Sequence, residues 1–225
     1  MNKKLMRLGQ FFALLRVNIL RKKFSAIPLS HPEIGVRVLE FIPKGSKVFE
    51  WGTGVSTYYL GTHSGCSIVS IESSKSWANV INQIFLREGL SEICKVIFIN
   101  IGPTKSYGTP IKMFQRFNKS KFKNYWEVAN QFKSFNPEVV LIDGRFRILC
   151  ALESLTVFKP PFTLIIDDYT LRPSYNILST LLGDPVLIDR SAIFKLTRNC
   201  NNQENLQITI LKEKLRQNLF SAENT

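Results

Sequence analysis

The chain has 225 residues, 44% of them hydrophobic and 12% aromatic, which is enough to bury one full core and to form a single domain. That composition excludes a disordered or collagen-like protein, and two histidines with four cysteines in no C-x-x-C pairing exclude a histidine-rich metal site, a paired-cysteine zinc site and a thioredoxin-like couple. The net charge of +13 is concentrated in residues 1–25 and 105–123, both rich in lysine and arginine and free of acids; the sign alone suits a solvated surface, phosphates, anionic lipid or acidic glycans.

Residues 1–30 place Leu8, Phe11, Phe12, Leu15 and Ile19 at three- and four-residue spacing, which predicts a basic amphipathic helix. The apolar run is too short, and too interrupted by Gln10, Arg16 and Asn18, to span a bilayer, and Arg21-Lys22-Lys23 follows it where an export signal would carry small residues. A cytoplasmic protein is therefore expected, with this helix either covering the core or lying on an anionic membrane surface.

Residues 31–200 read as one α/β domain. Apolar, β-rich runs at Lys47–Trp51, Ser67–Glu72, Lys95–Ile99, Glu138–Asp143 and Phe162–Asp167 alternate with helical stretches around Ser56–Leu60, Ser76–Leu86, Tyr125–Phe132 and Phe146–Phe158. This is the pattern of a doubly wound, Rossmann-like parallel sheet with helices on both faces. Pro185–Asp189 and Ala192–Thr197 are separated only by Arg190-Ser191, so they must pair antiparallel, as a C-terminal hairpin. Residues 201–225 form a polar extension, predicted as a strand or helix that frays at its end. Cys66, Cys94, Cys150 and Cys200 are expected as reduced, mostly buried thiols.

The most informative stretch is Val48-Phe-Glu-Trp-Gly-Thr-Gly-Val-Ser-Thr57. A strand ends at Glu50, Gly52 and Gly54 allow a tight turn and close approach of a ligand, and a helix begins near Ser56 with its free N–H groups facing the turn. The next strand ends at Glu72, where a carboxylate can accept hydrogen bonds from ribose hydroxyls. The dinucleotide fingerprint would place a third glycine where Thr57 stands. Phosphate-loop and nucleophile-elbow motifs do not occur, and His63 reads as a surface residue.

Glu50-Trp-Gly-Thr-Gly54, the strand-terminal Glu72 and the closing hairpin resemble the class I S-adenosylmethionine-dependent methyltransferases over roughly residues 35–200. The resemblance implies a sheet of seven strands with the last antiparallel, S-adenosylmethionine over the carboxyl ends of the first strands, the Gly52–Gly54 turn at the methionine moiety and Glu72 at the ribose. Glu50, Gly52, Gly54, Ser56, Glu72 and Asp143 are the cofactor-binding candidates. That family often carries an acid after its third strand, where this chain has Asn100. Trp77 either stacks on the adenine or packs on the inner face of its helix.

Val140-Leu-Ile-Asp-Gly-Arg145 and Ile165-Ile-Asp-Asp-Tyr169 resemble, more narrowly, the fourth- and fifth-strand motifs of the divalent-metal-dependent O-methyltransferases of the macrocin type. That resemblance implies Mg²⁺ held by Asp143, Asp167 and Asp168, a metal able to hold and acidify an acceptor hydroxyl. Arg145 stands where those enzymes place a second aspartate as general base. From the residues alone the three aspartates have other uses: as caps of the helices that begin near Phe146 and Pro173, or as partners of Arg145, Arg147 and Arg172, which could also clamp an anionic acceptor. Asp143, Arg145 and Asp168 are the catalytic candidates. Asp-Gly-Arg-Phe-Arg147 and the loop Ile101–Pro110, read either as an acceptor-side lid or as a surface excursion, also resemble bacterial methyltransferase-like proteins of unassigned substrate.

A methyltransferase acting on an oxygen of a small molecule or glycan is therefore expected. No Asn- or Asp-Pro-Pro-Tyr/Phe motif follows the fourth strand, so specific nucleic-acid recognition is not. Two other readings are a non-catalytic or membrane-associated binding protein on the same fold, and a nicotinamide-dependent oxidoreductase.

Overall fold

A computed structural model of the chain describes residues 36–104, 110 and 119–221. Its centre is a seven-stranded sheet in the order β3-β2-β1-β4-β5-β7-β6. The strands are β1 (Lys47–Trp51), β2 (Ser67–Glu72), β3 (Cys94–Phe98), β4 (Val139–Ile142), β5 (Phe162–Ile166), β6 (Val186–Ile188) and β7 (Ser191–Leu196). The first five run parallel, whereas β7 is antiparallel to both β5 and β6. The hairpin and the α/β class are as the sequence predicts.

Strands β4 and β5 are central and buried on both faces, which is why Val-Val-Leu-Ile and Phe-Thr-Leu-Ile-Ile are apolar almost throughout instead of alternating. One face of the sheet packs Val48, Ile68, Val139 and Ile165 against α1 (Val36–Leu39), α2 (Val55–His63) and α3 (Lys75–Arg87). The other packs Phe49, Trp51, Val140 and Leu164 against α4 (Lys119–Glu127), α5 (Arg147–Val157), α6 (Ile177–Leu182) and α7 (Asn202–Ser221). Trp51, Phe49, Tyr125 and Trp126 are fully or almost fully buried on that second face, each contributing roughly 1.5–3 kcal/mol through area removed from water. Cys66, Cys94 and Cys150 are buried free thiols and Cys200 is half-buried. Burial pushes the Cys94 thiol up to about 12, so it remains protonated and unreactive at neutral pH.

Element boundaries shift where single hydrogen bonds extend a ladder. Ile99 lies beyond β3, yet its N–H still bonds the Glu72 carbonyl, while Cys94 joins the strand at its other end. Asp143 N–H bonds Trp51 O at 2.9 Å and Asp167 N–H bonds Ile142 O at 3.0 Å, one step past β4 and β5. Those bonds put both aspartates on the carboxyl edge of the sheet, Asp143 beside the end of β1 and Asp167 beside the end of β4. The helix expected around Tyr125–Phe132 divides into α4 and a 3₁₀ segment, Val128–Phe135, which ends at Asn136 in the left-handed region.

The residues set apart as a C-terminal extension include α7, which docks on the domain. Ile208 is fully buried, Leu211 and Leu215 pack on the core, and Lys212 forms an ion pair with the buried Glu153. Asn201 and Glu204 start this helix with a reciprocal capping box, Glu204 N–H to Asn201 Oδ1 at 2.9 Å and Asn201 N–H to Glu204 Oε2 at 2.8 Å. The N-terminal basic helix and its membrane-surface expectation lie outside the described residues. So do residues 105–109 of the lid loop, on either side of which Thr104 and Pro110 are joined by a bridge. Among the described residues no helix is long and apolar enough to cross a membrane.

Candidate functional site

The strand order reverses direction between β1 and β4, so the chain leaving β1 and the chain leaving β4 turn to opposite faces and open a crevice at their carboxyl ends. Both turns contain the glycine that the crevice requires. Gly52 has φ +94, outside the range that L side chains adopt readily, and a Cβ built there would lie 2.5 Å from Gly144 N. A Cβ on Gly144 would in turn meet the Tyr125 hydroxyl at 2.3 Å and Gly52 N at 2.9 Å. Gly54 differs: its φ of −168 is extended, and its N–H is taken by Thr57 Oγ1 at 2.8 Å as α2 begins.

Glu50 is wholly buried beneath this turn. Its carboxylate accepts hydrogen bonds from Ser56 Oγ at 2.9 Å, Thr57 Oγ1 at 2.6 Å and Ser70 Oγ at 2.6 Å. Burial raises its pKa to about 7, against the lowering effect of those hydroxyls. Glu50 and Ser56, both named from sequence as cofactor-binding, are thus bonded to one another and fix the turn from within. Glu72 closes β2 nearly buried, with Oε1 accepting from Ser74 N–H at 2.6 Å and Ser73 Oγ at 3.3 Å. Burial raises its pKa, opposed by hydrogen bonds from the Ser74, Ser73 and Thr53 backbones. The Thr53 contribution couples Glu72 to the glycine turn. Trp77 takes the inner-face option: it packs half-buried against the α2–α3 side of the core and donates Nε1–H to Thr53 O at 2.8 Å. His63 is exposed and stacked on Tyr59, as a surface residue should be.

The aspartates meet arginines. Arg147 lies one helical turn after Asp143, in the first turn of α5, and its guanidinium reaches back over the strand ends. It stands 2.9 Å from Asp143 Oδ1, 3.1 Å from Asp168 Oδ2 and 3.7 Å from Asp167 Oδ2, and its Nε–H donates to Gly144 O at 3.1 Å. Arg190 forks onto Asp167 through Nε at 2.9 Å and Nη2 at 2.8 Å, and lies 3.2 Å from Asp168. Arg172 reaches Asp168 at 3.5 Å, and Ser191 Oγ donates to Asp167 at 2.9 Å. Asp167 is fully buried, so this neutralisation is what makes an ionised carboxylate there tolerable.

One expectation is corrected by this cluster and another finds no support. None of the three aspartates caps a helix: Phe146, in the left-handed region at φ 54, occupies the N-cap of α5, and Arg172 that of the Pro173–Asn176 segment, neither with a side-chain cap bond. The Mg²⁺ expectation for Asp143, Asp167 and Asp168 finds no support. Among the described residues no group of three or more His, Cys, Asp or Glu side chains is placed to hold a metal ion, and the space between these carboxylates contains the Arg147 guanidinium. Sequence reasoning named Arg145, Arg147 and Arg172 as partners, of which Arg147 and Arg172 stand in the ion pairs described above, but missed Arg190 and Ser191. The signal was there: β7 is antiparallel to β5 with Ile166 opposite Ala192, which brings the first residues of β7 beside Asp167.

No protein-family model and no curated protein matches the chain. Among solved structures it is similar to a methyltransferase-like protein of Silicibacter pomeroyi DSS-3, with a TM-score of 0.65 and 27% sequence identity, covering 78% of this chain and 92% of that one. It is also similar in fold to the cofactor-bound protein Rv0187 from MTB, with a TM-score of 0.53 and 15% identity over 83% of this chain and 90% of that one. Strand order, the reversed closing strand and the Silicibacter likeness agree: the chain has the fold of the class I S-adenosylmethionine-dependent methyltransferases and is similar to a bacterial methyltransferase-like protein.

Proposed function

We propose that the protein is an S-adenosylmethionine-dependent methyltransferase whose acceptor is an oxygen of a small molecule or glycan. The observation that carries this reading is the turn at the switch point, where positive φ at Gly52, and a Cβ that would lie 2.5 Å from Gly144 N, exclude any side chain. Such a cradle fits a cofactor laid against bare backbone. S-adenosylmethionine, when bound, supplies an electrophilic methyl group on a sulfonium. The chain's own part is to hold donor and acceptor in line. Glu50 keeps the turn in shape through Ser56, Thr57 and Ser70, and Glu72 receives the ribose hydroxyls. Asp143 and Asp168, 13% and 18% exposed, are the carboxylates of the cluster that an acceptor hydroxyl can reach. One of them accepts its hydrogen bond and takes its proton as the methyl group is transferred. Arg145 and the half-exposed Arg172 follow the aspartates in the same turns, and their guanidinium donors suit an anionic substituent of the acceptor.

Calorimetric titration with S-adenosylmethionine, S-adenosylhomocysteine and NAD tests this reading. Micromolar binding of the first two but not of NAD, lost in Gly52→Val, is expected. No binding of any of them would favour the second reading, a non-catalytic binding protein on this fold, for which the complete ion pairing of the aspartates is the supporting observation. The basic N-terminal segment then becomes the place to look, with anionic vesicles as its proposed partner.

A further inference from the structure

We infer that Arg147 is the resident cation of this site: a side chain that occupies, permanently, the position among three strand-end carboxylates that a divalent metal would need. The inference stands apart from the methyltransferase reading, because it concerns what the aspartates can hold and not what the cradle binds.

The geometry is specific. Three carboxylates on two adjacent strand ends converge on a single guanidinium, at 2.9, 3.1 and 3.7 Å. That guanidinium is anchored from behind by two backbone carbonyls, Gly144 O through Nε and Asp167 O through Nη1. Its side chain is only 10% exposed, so it does not swing out into water without breaking all of these contacts. Arg190 and Arg172 flank it, and the cluster of three carboxylates and three guanidinium groups is charge-balanced without any added ion. A Mg²⁺ or Mn²⁺ ion would need carboxylate oxygens at about 2.0–2.2 Å in a near-octahedral shell. Placed between Asp143 and Asp168 it would sit against a cation that, unlike lysine or histidine, does not give up its proton at any accessible pH.

Arg147 therefore acts through the aspartates as a positioning residue. It holds Asp143 and Asp168 aimed, as a metal would, but with directional N–H donors in place of a Lewis acid. The local sequence supplies the means: Asp143-Gly-Arg-Phe-Arg147 turns sharply through Phe146 in the left-handed region, and α5 begins at once, so that a long side chain at its first position folds back over the strand end it has just left.

The test is Mn²⁺ binding to the full-length protein, read by electron paramagnetic resonance, with circular dichroism and melting to verify the fold. Wild type is expected to show no stoichiometric Mn²⁺ site at millimolar metal. Arg147→Met, which keeps the length and removes the charge, is expected to gain one site at least about tenfold tighter than any wild-type binding, and Asp167→Asn added to it should abolish that site. Arg147→Lys, which keeps a cation, should remain without one. A stoichiometric wild-type site lost in Asp143→Asn would overturn the inference, as would a folded Arg147→Met with no gain. If Arg147→Met is unfolded, recovery of a cooperative melt in millimolar Mn²⁺ supports the assignment and its absence refutes it. Cofactor titration of the same samples is a separate readout, so failure of the methyltransferase reading would leave this result standing.

Discussion

Replacing Glu50 by glutamine should remove most of the pH dependence of stability that arises under the glycine turn. The side chain is wholly buried, and desolvation raises its pKa to about 7 from the ordinary 4.5, even though Ser70, Thr57 and Ser56 all donate to it. In the unfolded chain the carboxyl ionises near pH 4.5; in the folded protein it keeps its proton until near pH 7. The folded state therefore binds more protons across that window, and stability falls as pH rises through it, levelling off above. The difference of about 2.5 units corresponds to about 3 kcal/mol at roughly 1.4 kcal/mol per unit. Glutamine is neutral throughout, and the three hydroxyls can turn to accept from its amide as well as donate to its carbonyl. Measured by urea unfolding at pH 5, 6, 7 and 8, the effect of Glu50→Gln relative to wild type should become more favourable by about 2.5 kcal/mol from the lowest to the highest pH, the rest of the difference having developed below pH 5, or roughly 5–10 °C in melting temperature. Glu72 is also shifted upward by burial and adds a slope of the same sign, but it is present in both proteins and cancels in the difference. Parallel wild-type and mutant profiles would refute the reasoning, because they would mean that Glu50 titrates alike in the folded and unfolded states.

Two further outcomes follow from the same crevice. Gly52→Ala combines the cost of a left-handed backbone, about 1–2 kcal/mol, with a backbone clash at Gly144 of roughly 1–3 kcal/mol. Melting should fall by several degrees and cofactor binding should be lost, whereas a melt unchanged from wild type would show that the turn relaxes freely. Asp167→Asn leaves Arg190 and Arg147 facing an amide at a fully buried position. We expect a loss of about 3–5 kcal/mol by urea unfolding, and a loss below 1 kcal/mol would mean that the arginines find other partners.

The parts of this molecule that were legible in sequence are those decided by short-range pattern. Strands β1 and β2 coincide with the predicted runs because each is a short β-rich segment cut off sharply, by Gly52 in one case and by Ser73-Ser74 in the other. The hairpin was legible because two strands joined by two residues have one way to pair. The acids at strand ends were legible because a parallel sheet sends the carboxyl ends of β1, β2, β4 and β5 to one edge, so Glu50, Glu72, Asp143 and Asp167 had to gather there. What those acids meet was not legible to the same degree. Arg190 reaches Asp167 only through the β5–β7 register, and nothing local to either residue announces it.

Arg147 is the more instructive case. Its spacing of four from Asp143 was visible, but a strand-end aspartate triad reads equally as a metal site, a set of helix caps or an ion-pair cluster until the backbone between the two residues is known. Phe146 decides among these. Its left-handed conformation uses up the N-cap of α5 without a side-chain bond, which denies Asp143 the capping role, and it starts the helix one residue later, which carries Arg147 back over the carboxylates and fills the place a metal would take. A bulky aromatic residue in that backbone region is costly, and its ring is held by contacts with Phe122, Tyr125 and Trp126 of α4. The chemistry of the edge is thus settled by packing on the far face of the sheet, across contacts that span twenty residues or more of sequence. That is why composition and spacing located the site while leaving its occupant open.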